Sequence, residues 1–156
     1  MKSLRQSVRS VEKKAFSFTD IEKITKPHVA VAFKLLDDIG KNATTASIFK
    51  GKKTAAILCT IHNPHGEVTS RNHWVALIKR GEKRFDFCDS LGHTPAKLAS
   101  KLHIHNAGFI AWCNKQHINS QTIPIQRDAS DISTCACHVA TRLCMHELNN
   151  RQYVHW

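Results

Sequence analysis

The chain has 156 residues, a length typical of one domain, and its 42% hydrophobic and 22% charged content excludes a disordered or collagen-like chain. Lysine and arginine outnumber aspartate and glutamate by 23 to 12, and the formal net charge of +11 predicts an anionic partner, of which nucleic acid is the simplest. Because the apolar runs are only about five residues long, we expect neither a transmembrane helix nor a secretory signal.

The first 15 residues form a basic segment in which lysine and arginine recur at helical spacing. Thr19 and Glu22 then have the spacing of a capping box, so a short helix is expected to begin there. The apolar segment Val29–Ile39, which Gly40 would end, predicts a second helix.

The middle of the chain predicts strands. Residues 41–53 are polar and basic and predict a loop, whereas Thr54–Ile61 is apolar and partly β-branched, as in a buried strand. His73–Arg80 and Arg84–Asp89 both alternate between two faces, and Gly81 suits a hairpin turn between them. Antiparallel pairing then brings the histidine that begins the first strand close to the aspartate that ends the second.

The last third of the chain predicts helices and one short strand. A threonine cap followed by proline, at Thr94-Pro95, predicts a helix start. Residues 122–126 predict a short edge strand, because Pro124 cannot donate to a central ladder. The clearest helix is Cys135–Asn149, which has a broad apolar face.

Cys135 occupies the predicted first turn of that helix, where the helix dipole and free N–H groups favour a thiolate. A cysteine nucleophile needs a base and a group that orients the base. His73 is the candidate base, Asp89 the candidate orienting carboxylate, and the amide of Gln126 a candidate donor to an oxyanion. Asp86 is the alternative acid, although strand alternation places it on the face opposite Asp89.

Three motifs in this order, HWVA at 73–76, FCDSLG at 87–92 and QRDASDISTCACHV at 126–139, resemble the adenain-like cysteine proteases. That superfamily includes the adenovirus maturation protease, related enzymes of large DNA viruses, virophages and transposon-like viruses, and the SUMO proteases. The resemblance implies an α+β, papain-like or adenain-like fold, with a small mixed, mostly antiparallel sheet packed on a core helix that carries the nucleophile. It also implies one cysteine protease domain over residues 1–156, with the basic segment 1–15 at its periphery.

Residue by residue, the resemblance implies that His73 is the base, Asp89 its acidic partner, Gln126 the oxyanion donor and Cys135 the nucleophile. Two features depart from the family pattern. Ala136 stands where the family has glycine, and its methyl group would crowd a substrate. The gap from Gln126 to Cys135, 135 − 126 = 9 positions, is longer than the family's usual spacing, so the loop between them must bulge.

The function implied by the resemblance is a cysteine endopeptidase that performs maturation cleavage of viral capsid or core precursors, after small residues such as glycine. Its partners would be those protein substrates. Non-specific binding of DNA is compatible with this function, and no membrane partner is expected. No cofactor would be required, although stimulation by DNA or an activating peptide is allowed. The expected location is the virion and the host cell nucleus or cytoplasm.

Three alternatives stay open. The same machinery serves an isopeptidase that removes ubiquitin-like modifiers, and it serves acyl transfer by a His–Cys pair. A non-enzymatic interpretation is a basic nucleic-acid-binding module, which would use the N-terminal basic segment and the lysines of residues 50–53. A metal site is not expected, because Cys135 and Cys137 point about 200° apart on one helix and cannot chelate one ion.

Overall fold

The computed structural model of the chain describes residues 16–103, 107–126 and 134–156, so the basic segment predicted over the first 15 residues lies outside the described residues. Within these ranges, no helix is long and apolar enough to cross a lipid bilayer. These ranges contain five strands, six α-helices and one 3-10 turn. In order they are α1 (Phe18–Thr25), β1 (Val31–Leu35), a 3-10 turn (Leu36–Asp38), α2 (Thr45–Phe49), β2 (Thr54–His62), β3 (Val68–Lys79), β4 (Arg84–Asp89), α3 (Pro95–Lys101), α4 (Ala107–Asn114), β5 (His117–Gln121), α5 (Cys135–Cys144) and α6 (Asn150–Val154).

The strands form one mixed sheet in the order β1-β2-β3-β4-β5. The two central pairs, β2 with β3 and β3 with β4, are antiparallel, whereas β1 with β2 and β4 with β5 are parallel. The prediction of a mixed sheet is confirmed, but the prediction that most strand pairs are antiparallel is wrong, since two pairs are parallel and two are antiparallel. The physical reason is the connections: short turns make antiparallel pairs, whereas the helices between β1 and β2 and between β4 and β5 form crossovers.

Helices cover both faces of the sheet. On β3, Val75 and Leu77 point into a cluster with residues of α2, α3 and α4, while Trp74, Ala76 and Ile78 point into a second cluster with residues of α1 and α5. Because successive side chains of β3 point to opposite faces of the sheet, this one strand contributes residues to the hydrophobic cores on both faces. The α+β class is confirmed, with α5 packed on the central strands as the sequence predicts.

Two predictions in the N-terminal third are wrong. Val29–Ile39 forms β1 and the 3-10 turn instead of a helix, because its apolar run pairs in parallel register with β2. The cap of α1 is Ser17, not Thr19, and Asp20 completes the capping box in place of Glu22. The helix therefore begins two residues earlier than predicted.

Three predictions nearer the C-terminus or in loops are also corrected. The loop predicted over 41–53 contains α2, whose N-cap is Thr44. The edge strand predicted over 122–126 is wrong, because the strand that pairs with β4 is His117–Gln121 and the residues after it are irregular. The helix predicted over Cys135–Asn149 ends at Cys144, and a separate short helix begins at Asn150.

Candidate active site

The β3–β4 hairpin places a histidine against a buried carboxylate. Asp89 ends β4 opposite Val75, two residues along β3 from His73 on the same face of the sheet. The two side chains meet at 2.6 Å between His73 Nε2 and Asp89 Oδ1. Both residues are buried, Asp89 completely, so little water competes for this hydrogen bond.

Cys135 begins α5 and meets the same imidazole. Interactions of the thiol with the His73 imidazole and with the backbone of Trp74 and Ala136 lower the pKa of Cys135. Since Nε2 of His73 faces Asp89, Nδ1 is the ring nitrogen left for the thiol. The Trp74 ring packs edge-on against Phe18, with ring centroids 5.0 Å apart, in the apolar cluster that also contains Cys135.

The pKa values of the three groups move in the directions that favour an ion pair. Burial alone would lower the pKa of His73, but hydrogen bonds to Asp89 and Cys135 raise it to about 9. Burial would raise the pKa of Cys135, yet the hydrogen bond to His73 and the adjacent N–H groups hold it below its ordinary value. Burial opposes ionisation of Asp89 as well, but its hydrogen bond to His73 lowers that pKa. This electrostatic environment supports an imidazolium–thiolate pair.

The carboxylate of Asp89 is held from both sides. The backbone N–H of Leu91 donates to Oδ1 at 3.1 Å, and that of His93 donates to Oδ2 at 3.3 Å. The His93 ring also lies against this carboxylate, with Nδ1 2.8 Å from Oδ2. Sequence reasoning missed His93, because a histidine four residues beyond an acid carries no motif of its own; the turn that follows β4 folds it back onto Asp89.

Gln126 lies beside the same turn. Its backbone N–H donates to the carbonyl of Ser90 at 2.9 Å, and its Oε1 accepts a hydrogen bond of 2.6 Å from the Ser90 hydroxyl. Gln126 therefore contacts the residue that follows Asp89 in the chain. Within the described residues, no hydrogen bond joins Gln126 to Cys135. The four predicted site residues thus divide into a contacting set of three and a fourth adjacent to it.

The alternative acid, Asp86, serves another purpose. Its carboxylate lies 2.7 Å from the Arg80 guanidinium and 3.4 Å from that of Arg142, on the face of the sheet opposite Asp89. Arg142 is 1% exposed and its Nε donates to the Cys88 sulfur. These contacts tie the C-terminal half of α5 to β4, so Asp86 positions the helix and does not face His73.

The residue that follows Cys135 in α5, Ala136, is buried. It is 2% exposed and belongs to the apolar cluster that joins α5 to Trp74 and Ala76. Its methyl group therefore fills the core beneath the helix. Its backbone also contributes to the lowered pKa of Cys135.

Comparisons with known proteins give structural neighbours alone. No protein-family model matches the chain, and no curated protein matches it significantly. The chain is similar to the crystal structure of ASFV pS273R protease, at 14% identity and a TM-score of 0.42, over 80% of this chain and 53% of that one. The chain is also similar to the selenomethionine crystal structure of that protease, at 12% identity and a TM-score of 0.35, over 66% of this chain and 38% of that one. The chain therefore spans about half the length, or less, of the solved structures it matches.

Proposed function

We propose that the chain is a cysteine endopeptidase of the adenain-like and SUMO-protease superfamily, with His73, Asp89 and Cys135 as its catalytic triad and a papain-like arrangement of sheet and nucleophile helix. One observation carries the proposal: a single buried imidazole bridges a fully buried carboxylate and a thiol at a helix start. That geometry is the one that activates a cysteine nucleophile.

The reaction follows from these contacts. The Cys135 thiolate attacks a peptide carbonyl carbon, so a carbon–sulfur bond forms and the carbonyl π electrons move to oxygen. The oxyanion collapses, the carbon–nitrogen bond breaks, and His73 gives its proton to the departing amine. Water then loses a proton to His73 and attacks the acyl-enzyme, which releases the acid and restores the thiolate. Asp89 keeps the imidazole oriented and balances its charge through both steps.

The backbone N–H of Cys135 and the amide of Gln126 are the proposed donors to the oxyanion, and loss of one such donor typically costs about 3 kcal/mol of transition-state stabilisation. The proposed substrates are viral capsid or core precursors cleaved after small residues, with the enzyme carried in the virion and acting in the host nucleus or cytoplasm. A panel of capsid-precursor fragments and ubiquitin-like fusion proteins distinguishes this substrate class from deconjugation.

A peptide vinyl sulfone probe tests the activity without a known substrate. We expect it to label wild type at Cys135, with labelling lost in Cys135→Ala and strongly reduced in His73→Ala. Cys137→Ala is the matched control, since this half-buried thiol lies two residues further along α5, and it should leave labelling unchanged. Equal labelling of wild type and Cys135→Ala would refute the proposal.

A second candidate function is binding of nucleic acid. A cavity of about 720 Å³ lies where β2 begins and β3 ends, about 20 Å along β3 from His73 at 3.3 Å per residue. Four exposed lysines line it together with one glutamate, Glu82; the lysines are Lys52, Lys53, Lys79 and Lys83. Arg80 also lines it, but its guanidinium is paired with Asp86. A concave basic surface of this kind suits a phosphate backbone, and DNA bound there is also the proposed stimulant of the protease.

Binding of a fluorescein-labelled single-stranded DNA tests this candidate. We expect Lys53→Glu/Lys83→Glu to weaken binding and to reduce the slope of log affinity against log salt by about 0.7 for each phosphate that is no longer neutralised. Lys97→Glu/Lys101→Glu changes the net charge equally on the exposed face of α3 and serves as the control. Equal weakening by both variants would show that net charge, not the cavity, attracts the DNA.

A further inference from the structure

The turn that follows β4 makes two sets of contacts at once. On one side Asp89 bonds to His73. On the other side Ser90, which is 3% exposed, accepts hydrogen bonds at its carbonyl from the backbone N–H groups of Ile125 and Gln126, at 2.8 and 2.9 Å. The turn that carries the acid of the triad therefore also anchors the segment that carries Gln126.

Gly92 lets the 122–126 segment lie close to the turn that follows β4. Its φ of +76° lies in the left-handed region, and a Cβ at this position would lie 2.7 Å from the carbonyl oxygen of Thr122 and 2.9 Å from the nitrogen of Pro124. Only a residue without a side chain allows the backbone of the 122–126 segment to approach so near the turn. The segment is thus held against the turn by packing as well as by hydrogen bonds.

Resting on the proposed protease function, we propose that Ser90 is a positioning residue that determines which end of the Gln126 amide faces the scissile carbonyl. The Ser90 hydroxyl donates to Gln126 Oε1 at 2.6 Å. An amide has an acceptor end and a donor end, and holding the oxygen leaves the NH₂ group as the end directed away from the turn. An oxyanion needs a donor, so an amide free to rotate would present the wrong end part of the time.

The chemistry separates this role from that of the triad. Acylation of Cys135 by an N-acylglycine p-nitrophenyl ester passes through a tetrahedral oxyanion, because the carbonyl electrons move to oxygen before p-nitrophenolate leaves. Alkylation of the same sulfur by iodoacetamide displaces iodide directly and forms no oxyanion. A residue that positions Gln126 affects the first reaction alone, whereas a residue that supports the triad or the fold affects both.

The test measures both rates in wild type and in each variant. We expect Ser90→Ala to slow the p-nitrophenolate burst by about 10- to 100-fold, up to the effect of Gln126→Ala, while alkylation stays within about twofold of wild type. Ser90→Thr keeps the hydroxyl and should restore the burst. Gln126→Glu keeps an acceptor for Ser90 but lacks the NH₂ group, so it should be as slow as Gln126→Ala. The Ser90→Ala/Gln126→Ala double variant should be no slower than Gln126→Ala alone.

Three outcomes would overturn the proposal: a normal burst in Ser90→Ala beside a slow one in Gln126→Ala, an equal loss of burst and alkylation in Ser90→Ala, or additive effects in the double variant. Failure of the proposed function itself looks different, since wild type would then give no burst and no selective alkylation of Cys135.

Discussion

Replacing Asp89 with asparagine removes the negative charge next to His73 and keeps the size of the side chain. The pKa of His73, about 9, lies about 2.5 above its ordinary value of 6.5. At about 1.36 kcal/mol per pKa unit, the surroundings favour the imidazolium by about 3 kcal/mol, and the hydrogen bond to Asp89 is the first of the interactions that raise the pKa. Without the carboxylate, burial would dominate and the imidazole would be neutral at pH 7.

The consequence for Cys135 is a loss of the ion pair. A cost of about 3 kcal/mol corresponds to a reduction of about 100-fold in the imidazolium–thiolate population. We therefore expect Asp89→Asn to slow iodoacetamide alkylation of Cys135 at pH 6.5 by about that factor. The pH at which alkylation is half-maximal should rise from its lowered value toward the ordinary thiol pKa of 9.0.

The assay is the rate of alkylation at Cys135, followed by peptide mass spectrometry from pH 5 to pH 10, with circular dichroism to check the fold. Asp86→Asn is the matched control, because it removes a buried carboxylate from the same strand but on the face that contacts Arg80 and Arg142. It should weaken the fold and leave the pH midpoint unchanged. An Asp89→Asn protein that alkylates at the wild-type rate at pH 6.5 would refute the reasoning.

Two further predictions concern stability, measured as the free energy of unfolding in urea. Gly92→Ala should lower the free energy of unfolding more than Gly66→Ala does. Both positions carry the roughly 1 kcal/mol cost of a left-handed backbone, with φ of +81° at Gly66, but only the added methyl group at position 92 would clash with Thr122, since the space around Gly66 is open. Similar losses would show that the 122–126 segment moves freely. Arg142→Ala should lower the free energy of unfolding by about 1–3 kcal/mol, because Asp86 keeps Arg80 as its cation but the buried Cys88 and Asn150 side chains lose their contacts with the Arg142 guanidinium. A loss below about 1 kcal/mol would contradict this role.

Local signals in the sequence predicted several elements correctly. The threonine cap and proline begin α3 where expected, with the Thr94 hydroxyl accepting from the N–H of Lys97. Both bounds of β4, Arg84–Asp89, are confirmed, because a period of two flanked by turn residues suits only a strand. The same alternation separated Asp86 from Asp89, and the structure places them on opposite faces.

The errors arose where a local pattern was compatible with two structures. An apolar run such as Val29–Phe33 suits a buried helix or a buried strand, and pairing with β2 decided for the strand. His93 could not be recognised from the sequence, since its approach to Asp89 depends on the turn conformation that Gly92 permits. Nor does the sequence reveal that Ser90 holds Gln126, because that contact joins residues 36 positions apart.

The sequence by itself determined the chemical groups and their periodicity: a thiol at a helix start, a histidine and an aspartate at two strand ends, and a large excess of positive charge. Only the tertiary structure decided how these groups meet. The His73–Cys135 contact depends on α5 packing across the sheet, and the raised pKa of His73 depends on the burial of Asp89. Both are properties of long-range packing, whose energy comes from surfaces that are distant along the chain and adjacent only after folding.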